Sequence, residues 1–356
     1  MNNLLKTMSL GLAGLIASTA VADAQIVLRF NEGGPNRGTR AEALQYFADR
    51  VEDLSEGEMK IDINWGGALL KLGDTAEGVG DGIADMGSVI GVYTPNQMLA
   101  LLVGDLPYGA SADAWVGMRA MYDLMTSSPA AQDSLAKQNT VYIANYHTTG
   151  LQIECREGIT LEKAEDFAGY RMRASGVYGR VLSDLGANLV NMTYDQVYQG
   201  YDTGLLDCDA GYFYAIKAYN LHEVIDTVYR ADFGQIGGFA IIANRDMYRS
   251  LSEEQQGILM TAGSDMIDFF AQLQIQSVDE MIEQLESGHY GKTVSVIDLD
   301  PAVRNALLEG TEPYIQDWRT KFTEAGYDGD AIWDQYKSLI DKYTEIRDAE
   351  GYPWNR

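Results

Sequence analysis

The chain predicts a two-lobe α/β fold with a hinge and one long helix spanning both lobes. Strand-like and helix-like periodicities alternate through its first half, which is the pattern of a parallel-rich sheet flanked by helices. At 356 residues it is too long for one small core. Extended segments near 141–156 and 233–244 supply two crossings between lobes, and two crossings make a hinge.

Ile26 to Asn31 reads as the first strand, and Thr39 to Leu54 as a helix with Ala43, Leu44, Phe47, Val51 and Leu54 on one face. Met59 to Trp65 alternates as a second strand. Thr75 to Ile83 is a short helix leading to a strand around Asp85 to Ile90. Val141 to His147 and Gly150 to Arg156 are extended and carry the chain into the second lobe. There Arg171 to Ala174 reads as a strand, Val177 to Leu185 and Thr193 to Tyr201 as helices, and a further strand runs through Asp207. Gly234, Gly237 and Gly238 precede an apolar run where the chain returns. Ser252 to Ser287 keeps a helical apolar period and opens on Ser252-Glu253-Glu254-Gln255, a capping box. At 1.5 Å per residue it would reach about 50 Å, enough to run across both lobes. The predicted division is residues 25–148 and 237–275 for lobe I and 149–236 and 276–320 for lobe II, with a C-terminal helical segment, 321–356, packed on them.

Residues 1–24 read as a secretory signal. Lys6 is the positive start, Met8 to Ala17 is apolar, and two Ala-x-Ala sites follow at Ala20-Val21-Ala22 and Ala22-Asp23-Ala24. The expected mature start is Gln25 and the expected compartment the periplasm. The apolar run is short of the roughly 20 residues that span a bilayer.

With 52 Asp and Glu against 26 Lys and Arg, the net charge is -26. Such a field argues against nucleic acid or an anionic membrane as partner. An anionic ligand would be repelled by the whole and held only by local arginines. The two cysteines, Cys155 and Cys208, leave two readings open: a disulfide, which an oxidising compartment favours, or two buried thiols.

The stretch from Phe167 to Asp207 is the most informative. It contains Arg171-Met172-Arg173, Leu185-Gly186-Ala187, Val197-Tyr198 and Gly204-Leu205-Leu206-Asp207. These four landmarks, in this order, resemble the DctP-like solute receptors of tripartite ATP-independent periplasmic (TRAP) transporters, and a looser resemblance extends over most of the mature chain. It implies the periplasmic binding protein fold, a small carboxylate ligand taken between the lobes, a membrane permease as partner, a monomer, no cofactor and no catalysis.

On that resemblance Arg173 is the carboxylate anchor. Its forked guanidinium suits a two-pronged ion pair, for which Lys would be a poor substitute. The alternative is an Arg paired with a structural Asp. Arg171 is read as a solvent or structural charge. Four residues past Asp207, where the family commonly supplies an Asn, this chain has Gly211. Tyr212 or Tyr214 would replace the lost contact, or both rings merely pack in the core. Glu32, after the first strand, suits a ligand with a donor group or belongs to the polar turn Glu32-Gly33-Gly34-Pro35. Trp65 and Tyr93 are cleft candidates by position, and Gln152 matches a further family contact. Gly211 argues against a sialic-acid-like site, the tyrosines from Tyr194 to Tyr219 make an aromatic acid conceivable, and Glu32 pulls toward a zwitterion or hydroxy acid.

Two rival readings share the two-lobe plan: a receptor of an ATP-driven importer and a secreted enzyme. Signals for chemistry are poor. His147, His222 and His289 have no metal-ligand spacing, and Gly291-Lys292-Thr293 lacks the earlier glycine of a phosphate loop. Neither a metal site nor a catalytic residue is expected.

Overall fold

The computed structural model describes residues 25–356; the signal assigned to 1–24 lies outside the described residues. Eleven strands occur among them: β1 (Ile26–Asn31), β2 (Met59–Asn64), β3 (Met86–Ile90), β4 (Thr140–Asn145), β5 (Gln152–Cys155), β6 (Arg171–Arg173), β7 (Asn188–Leu189), β8 (Cys208–Gly211), β9 (Thr227–Arg230), β10 (Phe239–Asn244) and β11 (Ser295–Asp298). They form two sheets, ordered β2-β1-β3-β10-β4 and β11-β9-β5-β8-β6-β7. The predicted two-lobe α/β fold is borne out.

In the first sheet β1 runs parallel to β2 and β3, while β10 returns antiparallel between β3 and β4. All six residues of β10 are buried, as a strand covered on both faces requires, and this explains its unbroken apolar run. The chain leaves the first sheet between β4 and β5 and re-enters between β9 and β10. At the crossing the backbones of Gly104 and Gly237 meet: a Cβ on Gly237 would lie 2.1 Å from the Gly104 carbonyl oxygen. Only glycine allows that approach. Tyr178, on the helix Gly176–Asp184, ties the same place from the second sheet's side. Its hydroxyl donates to the Asp105 carbonyl at 2.7 Å and accepts from the Gln235 backbone at 3.0 Å.

The long helix is Glu253–Glu286, capped by the reciprocal Ser252 and Gln255 bonds the sequence predicted. Its first half packs on the helices Thr39–Leu54 and Ala114–Ser127 and on β4, and its later part meets the helix Phe213–Ala218 and β11. Leu259, Met266, Ile267 and Phe270 are fully buried along it. The helices Glu312–Glu324 and Gly329–Glu350 close over the outside. Trp318 donates to the Leu99 carbonyl, and Trp115 meets Tyr343 edge to face.

One predicted boundary shifts. The strand expected to run through Asp207 begins at Cys208, because Cys208 is the residue paired with both Met172 and Cys155. Asp207 instead turns its carboxylate onto Arg171. Cys155 and Cys208 stand opposite each other in the β5–β8 ladder, Cα atoms 4.1 Å apart, and are joined as a disulfide.

Candidate functional site

The short strand β6 lies parallel to β8, with Arg173 opposite Asp209. Arg173 is its last residue. Beyond it, Ser175 leads into the helix Gly176–Asp184 through Gly176 at φ +59°, a left-handed conformation that glycine adopts freely. The guanidinium therefore comes to the strand's C-terminal edge, where open α/β sheets place their ligands.

Arg173 is only 4% exposed. Its Nη2 donates to the Tyr93 hydroxyl at 2.8 Å, its Nη1 to Asp209 Oδ1 at 3.4 Å, and its Nε to the Met192 carbonyl at 3.3 Å. Guanidinium has five N–H donors, so two are left over. Burial works against the charge, yet Tyr93 and Asp209 hold its pKa above the ordinary arginine value. Tyr93 comes from the segment after β3, in the other lobe. Its hydroxyl also accepts from the Tyr194 backbone at 3.0 Å, and with two donors already received its own proton is free to point elsewhere.

Around this contact the two halves of the molecule close on a small cavity of about 10 Å³, room for one water, walled by Ile90, Tyr93, Tyr194, Tyr212 and Phe239 as well as Arg173. Five of its twelve lining residues are aromatic. Arg173 lies over the Tyr194 ring at 5.0 Å, Tyr194 stacks on Tyr212 at 5.0 Å, and Tyr212 meets Tyr214 at 4.7 Å. Offset stacks of this kind hold rings in place beyond their burial.

Of the residues singled out from the sequence, Arg173, Tyr93 and Tyr212 meet at this cavity. Tyr214 is one ring removed, packed between Tyr212 and Phe270 of the long helix. Glu32 is fully buried and pairs with Arg40 at 3.3 Å, and Arg40 in turn donates to the Tyr219 hydroxyl across the lobes at 3.1 Å. Trp65 is half-buried at the end of β2, away from the lining. Gln152 is occupied otherwise: its amide nitrogen donates to Gly150 and Asp232 while its oxygen accepts from Ala231 and Asp232. Every polar position is used to brace the crossing segments, which leaves nothing for a ligand.

Sequence reasoning named Tyr194 only among the tyrosines that point to an aromatic acid, and it missed Asp209 and Glu154. Glu154 and Asp209 face each other across β5 and β8, and both are fully buried. Both oxygens of Glu154, Oδ2 of Asp209 and the Tyr194 hydroxyl have no hydrogen-bond partner among the described residues. Burial, and then mutual repulsion, drives the Glu154 pKa well above the ordinary carboxylate range, and burial raises Asp209 as well against the pull of Arg173. The signal for Asp209 was available: once β6 and β8 pair, the residue two past Asp207 shares a rung with Arg173. Glu154 carried none, since antiparallel pairing of β5 with β8 is a tertiary fact.

The family model for bacterial extracellular solute-binding proteins, family 7 (DctP), matches residues 30–321. The chain belongs to this family. The resemblance read from the Arg171 to Asp207 landmarks is thereby borne out. Among the receptor's relatives is the C4-dicarboxylate-binding protein DctB of Bacillus subtilis, 22% identical over 307 residues, which cover 84% of this chain and 83% of DctB. A TRAP solute-binding protein of Rhodoferax ferrireducens, solved with copurified benzoate, superposes with a TM-score of 0.78 at 18% identity, covering 90% of this chain and 99% of that one. An extracytoplasmic solute receptor of Bordetella pertussis, solved with pyroglutamic acid, gives 0.77 at 21% identity, covering 88% and 99%.

Proposed function

We propose that this family 7 receptor captures a small organic carboxylate between its two lobes and delivers it to the membrane subunits of a TRAP transporter, acting in the periplasm as a monomer once residues 1–24 are removed. The observation that carries this reading is Arg173: a buried guanidinium at the lobe interface with two N–H donors unspent and a hydroxyl, that of Tyr93, beside it. The names of the relatives support it, since those proteins bind a C4-dicarboxylate, benzoate and pyroglutamic acid. No helix among the described residues is long and apolar enough to cross a membrane, which accords with a partner that supplies the membrane part.

A carboxylate arriving at Arg173 takes the two spare N–H groups in a bidentate pair, and Tyr93 donates from the opposite lobe. Because one contact comes from each lobe, an occupied cleft favours closure, and closure removes water and strengthens the ion pair by lowering the local dielectric. The Gly104–Gly237 approach and the Tyr178 bonds lie where the segments cross and are the natural pivot. Binding and release do the work, with no bond made or broken.

The test is to unfold the purified protein and identify by mass spectrometry any acid it releases, then to titrate that acid back. The melting temperature of the wild type should rise by several degrees at saturation, and Arg173→Ala should show no rise. An undiminished rise in that variant would remove Arg173 as the anchor.

A further inference from the structure

We propose that the ligand is a zwitterion, whose carboxylate is held by Arg173 and whose ammonium is received by the buried Glu154–Asp209 pair. This rests on the receptor reading above and names the class of ligand for the same cleft.

Three observations converge. The first is charge. Among the described residues Arg173 is the one cation of the cluster, and it already faces Asp209 at 3.4 Å, with Glu154 across the ladder. With burial and the neighbouring Asp209 holding the Glu154 carboxyl toward its neutral form, Arg173 and Asp209 already balance, so a plain carboxylate would bring one unmatched negative charge into a dry site, where unbalanced charge is costly. An ammonium on the same ligand cancels it.

The second is hydrogen bonding. Glu154 Oε1 and Oε2, Asp209 Oδ2 and the Tyr194 hydroxyl are all buried and unpartnered, whereas buried polar atoms in folded proteins nearly always find partners. Three of the four can only accept when ionised, and an ammonium offers three donors. Tyr194 is itself a wall of the cavity and lies under Arg173, so the unpartnered hydroxyl belongs to the same space.

The third is Gly211. A Cβ there would stand 2.3 Å from Glu154 Oε1. Any side chain at 211, such as the Asn expected from the family's pattern, would collide with the carboxylate. Glu154 fills the space where a residue-211 side chain would otherwise project, behind the lining residues Ala210 and Tyr212, and its link to the cavity is Tyr194, a lining residue whose phenol is raised by burial and then by the nearby Glu154 and Asp209. The loss of a contact at Gly211 is thus answered from the neighbouring strand by a group of opposite character, an acid that recruits a donor.

The experiment compares matched acids with and without an α-amino group: phenylglycine against phenylacetate, and proline against cyclopentanecarboxylate, by calorimetric titration of the wild type, Arg173→Ala and Glu154→Gln. The expected result is that the amino member of at least one pair binds the wild type tenfold or more tightly than its partner. Glu154→Gln should erase that preference by weakening the amino member alone. Equal or tighter binding of the acids without nitrogen, or a preference that survives Glu154→Gln, overturns the proposal while leaving the receptor reading intact. Binding that survives Arg173→Ala overturns the receptor anchor instead. Should no pair bind, the acid released on unfolding decides: one without a basic nitrogen overturns the zwitterion, and release of none counts against both readings. If Glu154→Gln loses its cooperative thermal transition, Asp209→Asn serves in its place with the same expected loss of preference.

Discussion

Two arginine–aspartate pairs sit two residues apart on one face of the same parallel ladder, and they have opposite fates. At the end away from the cleft, Asp207 receives Arg171 Nε at 3.0 Å, the Arg171 backbone N–H at 2.8 Å and Arg156 Nε at 2.9 Å. Its partners are partly in water, with side chains 41% and 45% exposed. At the cleft end Arg173 and Asp209 are sealed from water, the contact is long, and a second acid, Glu154, joins them. The outer pair is satisfied by the protein alone and acts as a clamp between β6, β8 and the residue after β5. The inner cluster is left short of donors. What separates a structural ion pair from a candidate ligand seat is not residue type, which is the same, but whether the surroundings complete it.

The disulfide underlies both rungs, since Cys208 lies between Asp207 and Asp209 and fixes β5 to β8. Replacing both cysteines by Ser should give the largest loss of stability, about 4 kcal/mol by the loop-closure estimate for its sequence separation of 53 residues, read from chemical unfolding. Arg173→Ala should then abolish ligand-induced stabilisation, a loss of a hundredfold or more in affinity for a truncated buried ion pair. Arg171→Ala should leave affinity within about threefold, because an exposed pair contributes little. Equal losses from both would erase the distinction drawn between the rungs.

The two aspartates should also respond to pH with opposite signs. The Arg171 guanidinium, chiefly, and Arg156 hold the Asp207 carboxyl well below the usual range. A depressed folded pKa means the stabilisation is fully present above an unfolded pKa of about 4 and is lost as the pH falls toward the folded value. Asp207→Asn should therefore cost about 1 kcal/mol at neutral pH and nearly nothing at strongly acid pH. Asp209 is raised by burial, so its contribution is greatest below about pH 4 and declines as the pH climbs to the folded value. Asp209→Asn should remove that decline, leaving the protein without ligand as stable as wild type at neutral pH or slightly more so. Parallel acid-unfolding curves for the two variants would contradict the assignment.

Asp105 gives the most local effect. Burial, against hydrogen bonds from Gly238 and Gly237, lifts its carboxyl to about 7. It sits at the crossing, its Oδ1 accepting from the Gly238 backbone at 2.7 Å. Stability should fall as pH rises from about 4 to 7. Asp105→Asn, which keeps that acceptor, should flatten the slope over this window in thermal scans.

Much of this was legible in the chain. The helix Thr39–Leu54 and the long helix with its Ser252 cap follow from apolar periodicity and one capping box, which are local. The landmarks around Arg173 were readable for the same reason, being contiguous in sequence. Gln152 was readable as polar and central but not as a brace, because its partners lie 79 and 80 residues away. Glu154 was invisible as a site residue, a single Glu in an extended run whose importance depends on what the neighbouring strand lacks at Gly211.

By itself the sequence determined the two-lobe α/β plan and the family, and it marked Arg173 as a candidate anchor, because periodicities of 2 and 3.6 and a contiguous motif are written in neighbouring residues. Only the tertiary structure decided which acid meets which arginine. The rungs of β5, β8 and β6 are set by pairings between residues 36 to 59 positions apart, and burial, which turns Asp209 from a twin of Asp207 into its opposite, exists only once the lobes have closed around them.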